Sequence, residues 1–534
     1  MSYRVCIPCA GTGSRLGGLT QFINKSLVSI ANRPTLSHLI EQFPSDVEFV
    51  IALGHKGHLI REFLTLAYPN RQFFFAEVSP FEGPGSGLGL SLQTCKQYLQ
   101  QPFIFISCDT LVEEPIPAPD KNWMGYAEVA NLEAYRTLGL SSGFVTAIAE
   151  KGEGQAPEHK AYIGLAGINN YQEFWVAMER GEKTVIETGE AHGMRSLLSN
   201  SIQGHQFTWH DTGNPTALAE TRNRFREPDE PNILEKANEA IWFVGDTVIK
   251  FSDDKKFIAN RVKRVEQIEG FVPAVTGSEA HMYRYPKVQG KVLSEVVTLP
   301  LFDRLLEHCN RFWQKKTLTP SESSAFHEAC MKFYRDKTIE RVALFYKNFD
   351  RKDGIESING KPMPELAALL NSLDWNWLAN ALPGRFHGDF HFENILWSET
   401  EEKFVFLDWR QDFGGDLSTG DIYYDFAKLL HGLIISHELI AGNFFSVDWQ
   451  PEAIVYDFHR KQILVECERY FGAWLESHGY DRKKVWVLTA LIYLNIAALH
   501  HHPYGLILYA LGKEILFREL GNVCKSHPIE GLER

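Results

Sequence analysis

The sequence lacks an apolar run long enough to span a bilayer comfortably. The longest such run, residues 485–499, falls short of the roughly 20 residues that a transmembrane helix needs, and it is better explained as a buried helix. The first residues, MSYRVCIPCAG, have no charged segment followed by an apolar stretch and a cleavage site, so we expect no signal peptide. Internal repeats and low-complexity tracts are absent too. These absences favour a globular protein that does not act at a membrane.

Positive charge and paired cysteines are also scarce. Lysine and arginine number 54 against 67 aspartates and glutamates, so the net charge is −13. This disfavours a nucleic-acid partner, which needs a basic face, although a local basic pocket for a phosphate remains compatible. The eight cysteines form no disulfide framework, which favours a reducing cytoplasm. Cys6 and Cys9 form a C-x-x-C without a second pair nearby, and packing in the first strand is enough to explain them.

The length and the order of patterns predict two domains. A chain of 534 residues is too long for one core. The first 220 or so residues alternate apolar strands (RVCIPCAG, EFVIALG, QFFFAEV, FIFISCD) with helical patterns, which predicts a parallel α/β sheet with ligands at the carboxyl ends of its strands. A charged, proline-bearing segment, 222–239, then indicates a linker. We place the boundary between 228 and 229.

The second domain, 229–534, begins with two strands and becomes mainly helical. AIWFVGD and TVIKF are joined by a Gly-Asp turn, as in a hairpin. From about residue 300 the pattern is helical and rich in aromatic residues, interrupted by the strand-like KFVFLDW. We expect a smaller lobe at about 235–290 and a larger one at about 291–534.

A glycine-rich turn, GTGSRLGG, follows the first strand. It is not the dinucleotide fingerprint, since Leu16 takes the third glycine position, and it is not a Walker A loop, since Gly-Lys-Ser/Thr is missing. Glycines at 11 and 13 still let the backbone approach a phosphate, and Arg15 adds a fixed positive fork. Alone, the turn is explained equally well as a plain strand–helix connection.

Other residues later in this half strengthen the hypothesis of a phosphate site. A second glycine-rich turn, 83–89, could lie against a flat base. Asp109 ends an apolar strand, Lys151 follows another, and Asp211 lies in a turn. Two carboxylates and a triphosphate would hold Mg²⁺ with few other protein ligands. Taken singly, each of these residues is more simply a solvated turn residue.

In their order and spacing these residues resemble the sugar-phosphate nucleotidyltransferase family. Its signature AAGxGxRLxP…PK is written here as PCAGTGSRLGG…NK, with Asn24 in place of the usual proline and Gly18 departing from the pattern. GPGSGLG, SCDTLV, AEK, GLAGINNYQEF and HDTGNP continue the likeness over roughly 3–225. The resemblance implies a Rossmann-like α/β domain. In that domain a phosphate monoester, already mostly a dianion, attacks the α-phosphorus of a nucleoside triphosphate and expels pyrophosphate.

The resemblance also implies roles for individual residues. Arg15 and Lys25 would be catalytic, Lys151 would bind the phosphate of the acceptor, and Asp109 and Asp211 would bind Mg²⁺. The nucleotide would be bound by glycine-turn residues, namely Gly11, Thr12, Gly13, Gly85, Ser86 and Gly87.

The C-terminal half carries a kinase-like spacing. In HGDFHFENILW, Asp389 precedes Asn394 by five residues, as in a kinase catalytic loop, and Asp408 ends the strand KFVFLDW, where the metal aspartate belongs. Lys250 lies where a strand lysine would meet the α- and β-phosphates. Tyr285, in MYRYPKVQG, lies in a segment that could form the hinge against which adenine stacks. Individually, these are ordinary turn or strand residues.

Together they resemble the aminoglycoside phosphotransferase and choline kinase superfamily, whose pattern HGDxHxxN…hhDW…GDxxYDhA is matched at 387–394, 408–409 and 420–427. The resemblance spans roughly 235–534 and implies a bilobal, protein-kinase-like α+β domain. Asp389 would be the catalytic base, Asn394 and Asp408 would hold Mg²⁺, and Lys250 would bind ATP.

Three features of this half depart from the pattern or compete with it. The helix glutamate that pairs with the strand lysine is not evident, with Asn260 and Glu266 as candidates. Arg410 replaces an acid found in many relatives, so contacts to the acceptor could differ. Adjacent histidines at 500–502 point different ways on a helix, which favours a surface or substrate-pocket use over chelation of one ion.

The two reactions are consecutive, so we hypothesise a bifunctional cytoplasmic enzyme that uses ATP and then a second nucleoside triphosphate. The first-choice acceptor is a sugar, converted to a sugar 1-phosphate and then to a nucleotide sugar for surface glycan synthesis. One alternative acceptor is choline or another small alcohol, giving a CDP conjugate; aromatic side chains could hold the quaternary ammonium of choline. The other alternative is a chain in which one domain is non-catalytic. The sequence leaves open which base the second nucleotide carries. It also leaves open the oligomeric state, and a homo-oligomer is compatible with it.

Overall fold

The computed structural model describes residues 2–226 and 236–521. By packing, the chain forms two compact units: residues 1–258 with 275–287, and residues 259–274 with 288–534. The predicted boundary at 228 and 229 lies outside the described residues and stays a prediction. The two units are described separately.

The first unit contains seventeen strands among its described residues. They are β1 (Arg4–Pro8), β2 (Ser29–Ile30), β3 (Arg33–Pro34), β4 (Glu48–Leu53), β5 (Phe73–Glu77), β6 (Phe103–Ile106), β7 (Thr110–Val112), β8 (Trp123–Ala127), β9 (Thr137–Ser141), β10 (Phe144–Ala149), β11 (His159–Ile168), β12 (Gln203–Gln206), β13 (Trp209–Asp211), β14 (Glu239–Val244), β15 (Thr247–Ser252), β16 (Gly277–Ser278) and β17 (Met282–Pro286).

The described helices of this unit are fewer than its strands. They are α1 (Thr35–Ile40), α2 (Gly57–Ala67), α3 (Leu88–Cys95), α4 (Tyr171–Arg180), α5 (Glu182–Thr188), α6 (Glu190–Ser196) and α7 (Pro215–Phe225), with 3-10 turns at Ser14–Thr20, Lys25–Leu27, Lys96–Tyr98 and Leu198–Asn200. The next helix, α8 (Lys255–Arg264), runs across the division between the two units.

A nine-stranded mixed sheet, in the order β5-β4-β1-β6-β11-β8-β12-β10-β9, forms the centre of the first unit. Strands β5, β4, β1 and β6 are parallel to one another, and β11 is antiparallel to β6. The strands β4 (EFVIAL) and β6 (FIFI) are almost wholly buried, as expected where both faces of a parallel sheet are covered. The four predicted strands are thus confirmed as β1, β4, β5 and β6.

The topology brings the predicted site residues to one edge. Strands β1 and β6 are parallel neighbours, so the glycine turn after β1 and the segment after β6 emerge side by side at their carboxyl ends. The short antiparallel pair β7–β13 then places Asp211 opposite Thr110. This register delivers Asp211 next to Asp109.

A second sheet of the first unit, in the order β14-β15-β17-β16, contains the predicted Gly-Asp hairpin. It shares an apolar core with the large sheet and its helices: Trp242 and Met282 lie in the same buried cluster as Phe63. The rings of Phe63 and Trp242 meet edge to face at 5.3 Å, and the Trp242 Nε1–H donates to Ser29 Oγ at 3.0 Å. These four strands, predicted to form the smaller lobe of the second domain, are therefore packed into the first unit.

The second unit is mainly helical. Its strands are β18 (Lys291–Val292), β19 (Glu356–Ile358), β20 (Lys361–Met363), β21 (Pro383–Gly384), β22 (Ile395–Ser398), β23 (Lys403–Phe406), β24 (Gly420–Asp421), β25 (Phe445–Trp449) and β26 (Ala453–Phe458). Its helices are α9 (Leu293–Val296), α10 (Leu299–Phe312), α11 (Pro320–Met331), α12 (Lys337–Asn348), α13 (Leu366–Ser372), α14 (Trp375–Ala379), α15 (Ile422–Ile434), α16 (His437–Ala441), α17 (Gln462–Ser477), α18 (Arg482–Ala497) and α19 (Tyr504–Leu520).

Hairpin β22–β23 positions the kinase-like motifs of this unit. Ile395 pairs with Phe406, and the Leu407 N–H donates to the Asn394 carbonyl at 2.7 Å, so the segments bearing Asn394 and Asp408 lie side by side. Helix α18 is buried along most of its length, which confirms the buried helix predicted from its apolar run. Within the described residues, no helix combines the length and apolarity needed to cross a bilayer.

Candidate active sites

In the first unit, Lys25 and Asp109 form a close ion pair. Lys25 Nζ lies 2.9 Å from Asp109 Oδ2, and the Ser107 hydroxyl donates to Asp109 Oδ1 at 2.5 Å. Burial opposes ionisation of this carboxyl, but Lys25 and the Ser107 hydrogen bond outweigh it and lower the pKa of Asp109 to about 2. The residue is therefore a carboxylate at any working pH, as a metal ligand must be.

Asp211 and Arg15 converge on the same point. A Cβ added to Gly213 would lie 3.0 Å from Asp211 Oδ1, 3.1 Å from Asp109 Oδ2 and 3.4 Å from one Arg15 guanidinium nitrogen. Burial raises the pKa of Asp211, and the charge of Asp109 adds to that shift. Two carboxylates facing one small space are a donor set of oxygens, which suits Mg²⁺. The predicted residues Arg15, Lys25, Asp109 and Asp211 are thus brought together.

Asn24, which replaces the family's proline, fixes the position of Lys25. Its buried side chain donates to the carbonyls of Cys9 (3.0 Å) and His55 (2.7 Å) and accepts from the backbone and hydroxyl of Ser26, both at 2.9 Å. It thereby ties the segment after β1 to the segment after β4 and caps the 3-10 turn that begins at Lys25. The hydrogen bonds of the Asn24 amide hold this segment in place, as a rigid proline ring could do by restricting the backbone.

Replacing Asn24 with alanine should destabilise the protein measurably. The change leaves the buried carbonyl of Cys9 and the partly buried carbonyl of His55 without their donor, which costs about 1–3 kcal/mol of unfolding free energy. Denaturant unfolding of the full chain measures this, with Asn70→Ala, at an exposed turn position, as the matched control. Equal stability of the two variants would contradict the bridging role of Asn24.

The glycines of the first turn are used for close approach. Gly13 has a left-handed φ of 66°, and a Cβ there would lie 2.8 Å from the Lys25 Cβ, so glycine lets the lysine approach the turn. Gly11 is exposed, and a Cβ there would meet nothing within 4 Å, which leaves the backbone open to a ligand. Thr12, between them, is half-buried.

The second glycine-rich turn is partly a packing device. Gly85 is exposed with a φ of 86°, and the Ser86 hydroxyl donates to the Gly83 carbonyl at 2.7 Å. A Cβ on Gly87 would lie 2.2 Å from the Ile186 carbonyl oxygen, and one on Gly89 would lie 1.9 Å from that of Val185. Part of this glycine pattern is therefore explained by the contact between α3 and α5.

Lys151 lies exposed in the turn after β10. Its neighbour Glu150 forms ion pairs with Arg136 at 2.9 Å and Arg195 at 2.5 Å. These contacts anchor the turn beside Lys151, whose role towards an acceptor stays a prediction.

In the second unit, Asp389 is surrounded by polar partners. Its Oδ1 lies 2.7 Å from Lys428 Nζ, its Oδ2 lies 3.5 Å from His391 Nε2, and Asn394 donates to Oδ2 at 3.2 Å. Desolvation opposes ionisation, but Lys428 and His391 outweigh it and hold the pKa of Asp389 well below its usual range. The lowered pKa keeps the carboxylate ionised, and the side chain is 40% exposed and therefore accessible to a ligand.

Asp425 organises the loop that carries Asp389. Its two carboxylate oxygens accept the backbone N–H groups of His387 and Gly388, both at 2.7 Å, and the Trp313 indole donates to it at 3.1 Å. Burial raises the pKa of Asp425 to about 6. Asp425, the second aspartate of the GDxxYDhA motif, is thus a buried residue that supports the loop.

Asp408 follows β23 in a strained backbone conformation. Its φ is 56°, in the left-handed region that disfavours a non-glycine residue. Its Oδ1 accepts a hydrogen bond from Arg261 at 2.9 Å. The Asn394 segment lies beside that of Asp408, and an amide oxygen and a carboxylate are ligand types that suit Mg²⁺.

The expected helix glutamate is not found at either candidate position. Helix α8 carries no carboxylate, and Glu266 lies exposed in the 3-10 turn Val265–Gln267 that follows it. Asn260 is half-buried on α8, and its neighbour Arg261 forms the ion pair with Asp408. A basic residue therefore occupies this face of the helix.

Lys250 and Tyr285 belong to the first unit. Lys250 lies in β15, opposite Tyr283 of β17, and is 6% exposed, while Tyr285 is 4% exposed in β17. Both roles towards ATP stay predictions.

A histidine cluster near Asp389 was not predicted from the sequence. Ligand atoms of His391, Glu393 and His437 all lie within 4.8 Å of one another, so these three residues could hold a transition metal. His391 Nδ1 lies 3.0 Å from Glu393 Oε2, and His437 Nδ1 lies 3.8 Å from the same oxygen. Of the predicted histidine run, burial and the nearby His437 lower the pKa of His500 to about 4, which favours a neutral ring there.

Comparison with known proteins gives matches in both halves. Residues 279–480 match the APH phosphotransferase enzyme family. The N-terminal region is similar to the bifunctional protein GlmU of Methanococcus maripaludis strain C7, with 24% identity over 260 residues that cover 46% of this chain and 59% of that relative. The low-salt glycan biosynthesis nucleotidyltransferase Agl11 of Haloferax volcanii is 25% identical over 235 residues, 39% of this chain and 62% of the relative.

A solved structure of UDP-glucose pyrophosphorylase complexed with UDP-glucose is 18% identical, covering 42% of this chain and 98% of that one, with a TM-score of 0.36. The chain spans about three fifths of the length of the two curated relatives. The resemblance predicted for each half is confirmed, as is the fold class: a nucleotidyltransferase-like α/β part followed by an APH kinase-like domain.

Proposed function

We propose that this chain, which joins a nucleotidyltransferase-like part to a phosphotransferase-family domain, is a bifunctional enzyme that acts twice on one substrate. The second unit phosphorylates a hydroxyl of a small molecule, favoured to be a sugar that becomes a sugar 1-phosphate, with ATP. The first unit then transfers a nucleotidyl group from a nucleoside triphosphate to that phosphate and releases pyrophosphate. The product is a nucleotide-activated sugar for surface glycan synthesis.

The observation that supports this proposal is the presence of two separate clusters of carboxylates and cations. One consists of Arg15, Lys25, Asp109 and Asp211. The other consists of Asp389 and Lys428 with the polar Asn394, and Asp408 follows the strand that pairs with the Asn394 segment. The first reaction makes a phosphate monoester, and the second consumes one. The names of the N-terminal relatives, a glycan biosynthesis nucleotidyltransferase among them, support a sugar acceptor.

In the nucleotidyl transfer, an oxygen of the acceptor phosphate attacks the α-phosphorus, and the bond from that phosphorus to the bridging oxygen of pyrophosphate breaks. Arg15 and Lys25 offset the negative charge that gathers on the phosphates, and Lys151 would bind the acceptor phosphate. Gly11, Thr12, Gly13, Gly85, Ser86 and Gly87 would bind the nucleotide. No general base is needed, because the attacking phosphate is already largely ionised near neutral pH. Positioning and charge neutralisation supply the catalysis.

In the phosphorylation, the acceptor hydroxyl gives its proton to Asp389 while its oxygen bonds to the γ-phosphorus, and ADP leaves. Lys428, in contact with Asp389, holds the carboxylate in place and offsets charge on the transferred group. Lys250 and Tyr285, which lie in the first unit, keep their predicted roles towards the phosphates and the adenine of ATP as proposals. Mg²⁺, held by Asn394 and Asp408 here and by Asp109 and Asp211 in the first unit, would neutralise phosphate oxygens in both reactions.

The coupling of the two reactions gives a direct experiment. Purified full-length protein is incubated with a free acceptor and each nucleoside triphosphate in turn, with and without ATP, and pyrophosphate is measured. We expect release only when ATP, or a separately phosphorylated acceptor, is present.

The requirement for a divalent cation is tested in the same assay. Chelation with EDTA should stop both ADP formation and pyrophosphate release, and added Mg²⁺ should restore both. Pyrophosphate release from the unphosphorylated acceptor without ATP would refute the proposed order of reactions.

A further inference from the structure

The surroundings of Asp389 are strongly basic. Lys428 contacts the carboxylate directly, and Lys337 is close enough to feel the charges of Arg410, Arg341, Lys428 and Asp389. Three of these four charges are positive. Burial, followed by Arg410, Arg341 and Lys428, lowers the pKa of Lys337 to about 7, so the cluster is short of negative charge.

Lys337 and Arg410 are held against one aromatic ring. Lys337 Nζ lies 4.4 Å from the centroid of the Phe333 ring, and the Arg410 guanidinium carbon lies 4.9 Å from it. Phe333 is itself packed on Phe413 and Tyr424, at centroid distances of 4.7 and 4.9 Å. Three separate segments therefore meet around Phe333: the turn between α11 and α12, the loop after Asp408 and the start of α15.

The backbone beneath Lys337 is unusual. Helices α11 and α12 are joined by a π-helical turn, Lys332–Asp336, which contains Phe333 and ends just before Lys337. A π-helical turn inserts an extra residue and changes the direction of the side chains that follow, and such turns are frequent at functional sites. Arg341 lies one α-helical turn further along, on the same face as Lys337.

Arg410 is placed by the catalytic loop itself. A Cβ on Gly388 would lie 2.5 Å from the Arg410 Cβ, and the Arg410 N–H donates to the His387 carbonyl at 2.9 Å. Its Nε donates to the Asp412 backbone carbonyl at 3.0 Å, which leaves the carboxylate of Asp412 out of that contact. Arg410 is therefore anchored against the loop that carries Asp389.

We propose that the molecule phosphorylated at Asp389 carries an anionic group, a carboxylate or a phosphate, that Lys337 and Arg410 bind while its hydroxyl faces Asp389. The inference rests on the proposed kinase function and narrows its substrate class to a sugar acid or a sugar phosphate. An arginine fork matches either anion in a bidentate manner. A quaternary ammonium would meet repulsion from like charges here, which disfavours choline as acceptor.

The test compares acceptors that differ in charge and little else. Full-length protein with Mg²⁺ and ATP is offered glucose, glucuronate, glucose 6-phosphate and choline, and phosphorylated product is measured by mass spectrometry. Binding of each acceptor beside a non-hydrolysable ATP analogue is measured by calorimetry. We expect the phosphorylation and the binding of glucuronate or glucose 6-phosphate to exceed those of glucose by about 10- to 100-fold, the effect of one charge-assisted hydrogen bond. The better of the two identifies the anion as carboxylate or phosphate.

The outcomes separate the inference from the function on which it rests. If glucose or choline is phosphorylated in preference to both anions, the inference is overturned and the kinase function stands. If neither anion binds better than glucose, the inference is overturned as well. Binding of an anion without transfer of phosphate from ATP supports the anion site and contradicts the kinase function.

Variants assign the effect to named side chains. Lys337→Gln and Arg410→Gln should raise KM for the anionic acceptor about 10- to 100-fold, with little change in KM for ATP. Lys347→Gln, at an exposed position of α12, is the matched control. Thermal unfolding verifies that each variant is folded. A rise in KM for ATP with no change for the acceptor would show that these cations serve the nucleotide, and would overturn the inference.

Discussion

Asp389→Asn should abolish phosphorylation of the acceptor while pyrophosphate release from an added phosphorylated acceptor continues. Asparagine keeps the shape of the side chain but cannot take the hydroxyl proton, and loss of a general base costs about 10²- to 10⁴-fold in rate. It also removes the negative partner of Lys428, so the transferred group loses its alignment. ADP formation by the full-length chain measures the loss.

The control for this variant is Asp457→Asn, at an exposed position of β26 in the same unit, which should behave as the unaltered protein. Phosphorylation by Asp389→Asn at an undiminished rate would remove Asp389 from the mechanism. Loss of both activities would instead indicate that the variant is misfolded or that the two units are functionally inseparable.

Asp109→Asn should have the opposite effect: pyrophosphate release falls and phosphorylation continues. The change removes a metal ligand and breaks the 2.9 Å ion pair that holds Lys25, so charge on the reacting phosphates is less well offset. Removal of one preorganised electrostatic contact typically costs roughly 10²- to 10³-fold in rate. Pyrophosphate release from a phosphorylated acceptor is the readout.

Asp120→Asn, at an exposed position of the same unit, is the matched control. A mixture of Asp109→Asn and Asp389→Asn proteins gives a further check, because each supplies the activity that the other lacks. The mixture should form the final product if the intermediate diffuses through solution. An Asp109→Asn protein that releases pyrophosphate at the original rate would refute the assignment of Asp109.

The sequence predicted the residues that follow strands better than those that lie on helices. Asp109 was expected at a ligand site because it ends a strand, and the family resemblance added Asp211 from its turn; Gly213 lies between their carboxylates. Asn394 and Asp408 followed from motif spacing, and the β22–β23 hairpin brings their segments together. In each case local order along the chain carried the information.

Lys428, Lys337 and Arg261 were missed because their partners are distant in sequence. Lys428 lies in the recognised GDxxYDhA region, yet a helix pattern does not reveal that its ammonium reaches Asp389. Arg261, which pairs with Asp408, was missed because an acidic residue was expected on the same helix. The signal that could have revealed Lys428 is its position three residues after the motif aspartate Asp425, one helical turn away.

Asn24 shows why a departure from a family pattern is hard to interpret from sequence. From the sequence alone, a polar residue in place of proline indicates a weakened motif. The structure shows that this residue bonds to the carbonyls of Cys9 and His55. Conversely, Gly87 was expected at a nucleotide, while the structure gives it a packing reason against Ile186. Tertiary contacts explain Asn24 and give Gly87 a role in packing, while the role of Gly87 towards a nucleotide stays a prediction.

The sheet that contains Trp242 and Met282 limits how this gene can recombine. Transfer of residues 236–521 to another gene would separate those side chains from Phe63 and expose an apolar face to water. A descendant that keeps the phosphotransferase alone should therefore have acquired polar residues at both positions. Within the first unit, the shared interior thus joins this sheet to the large one.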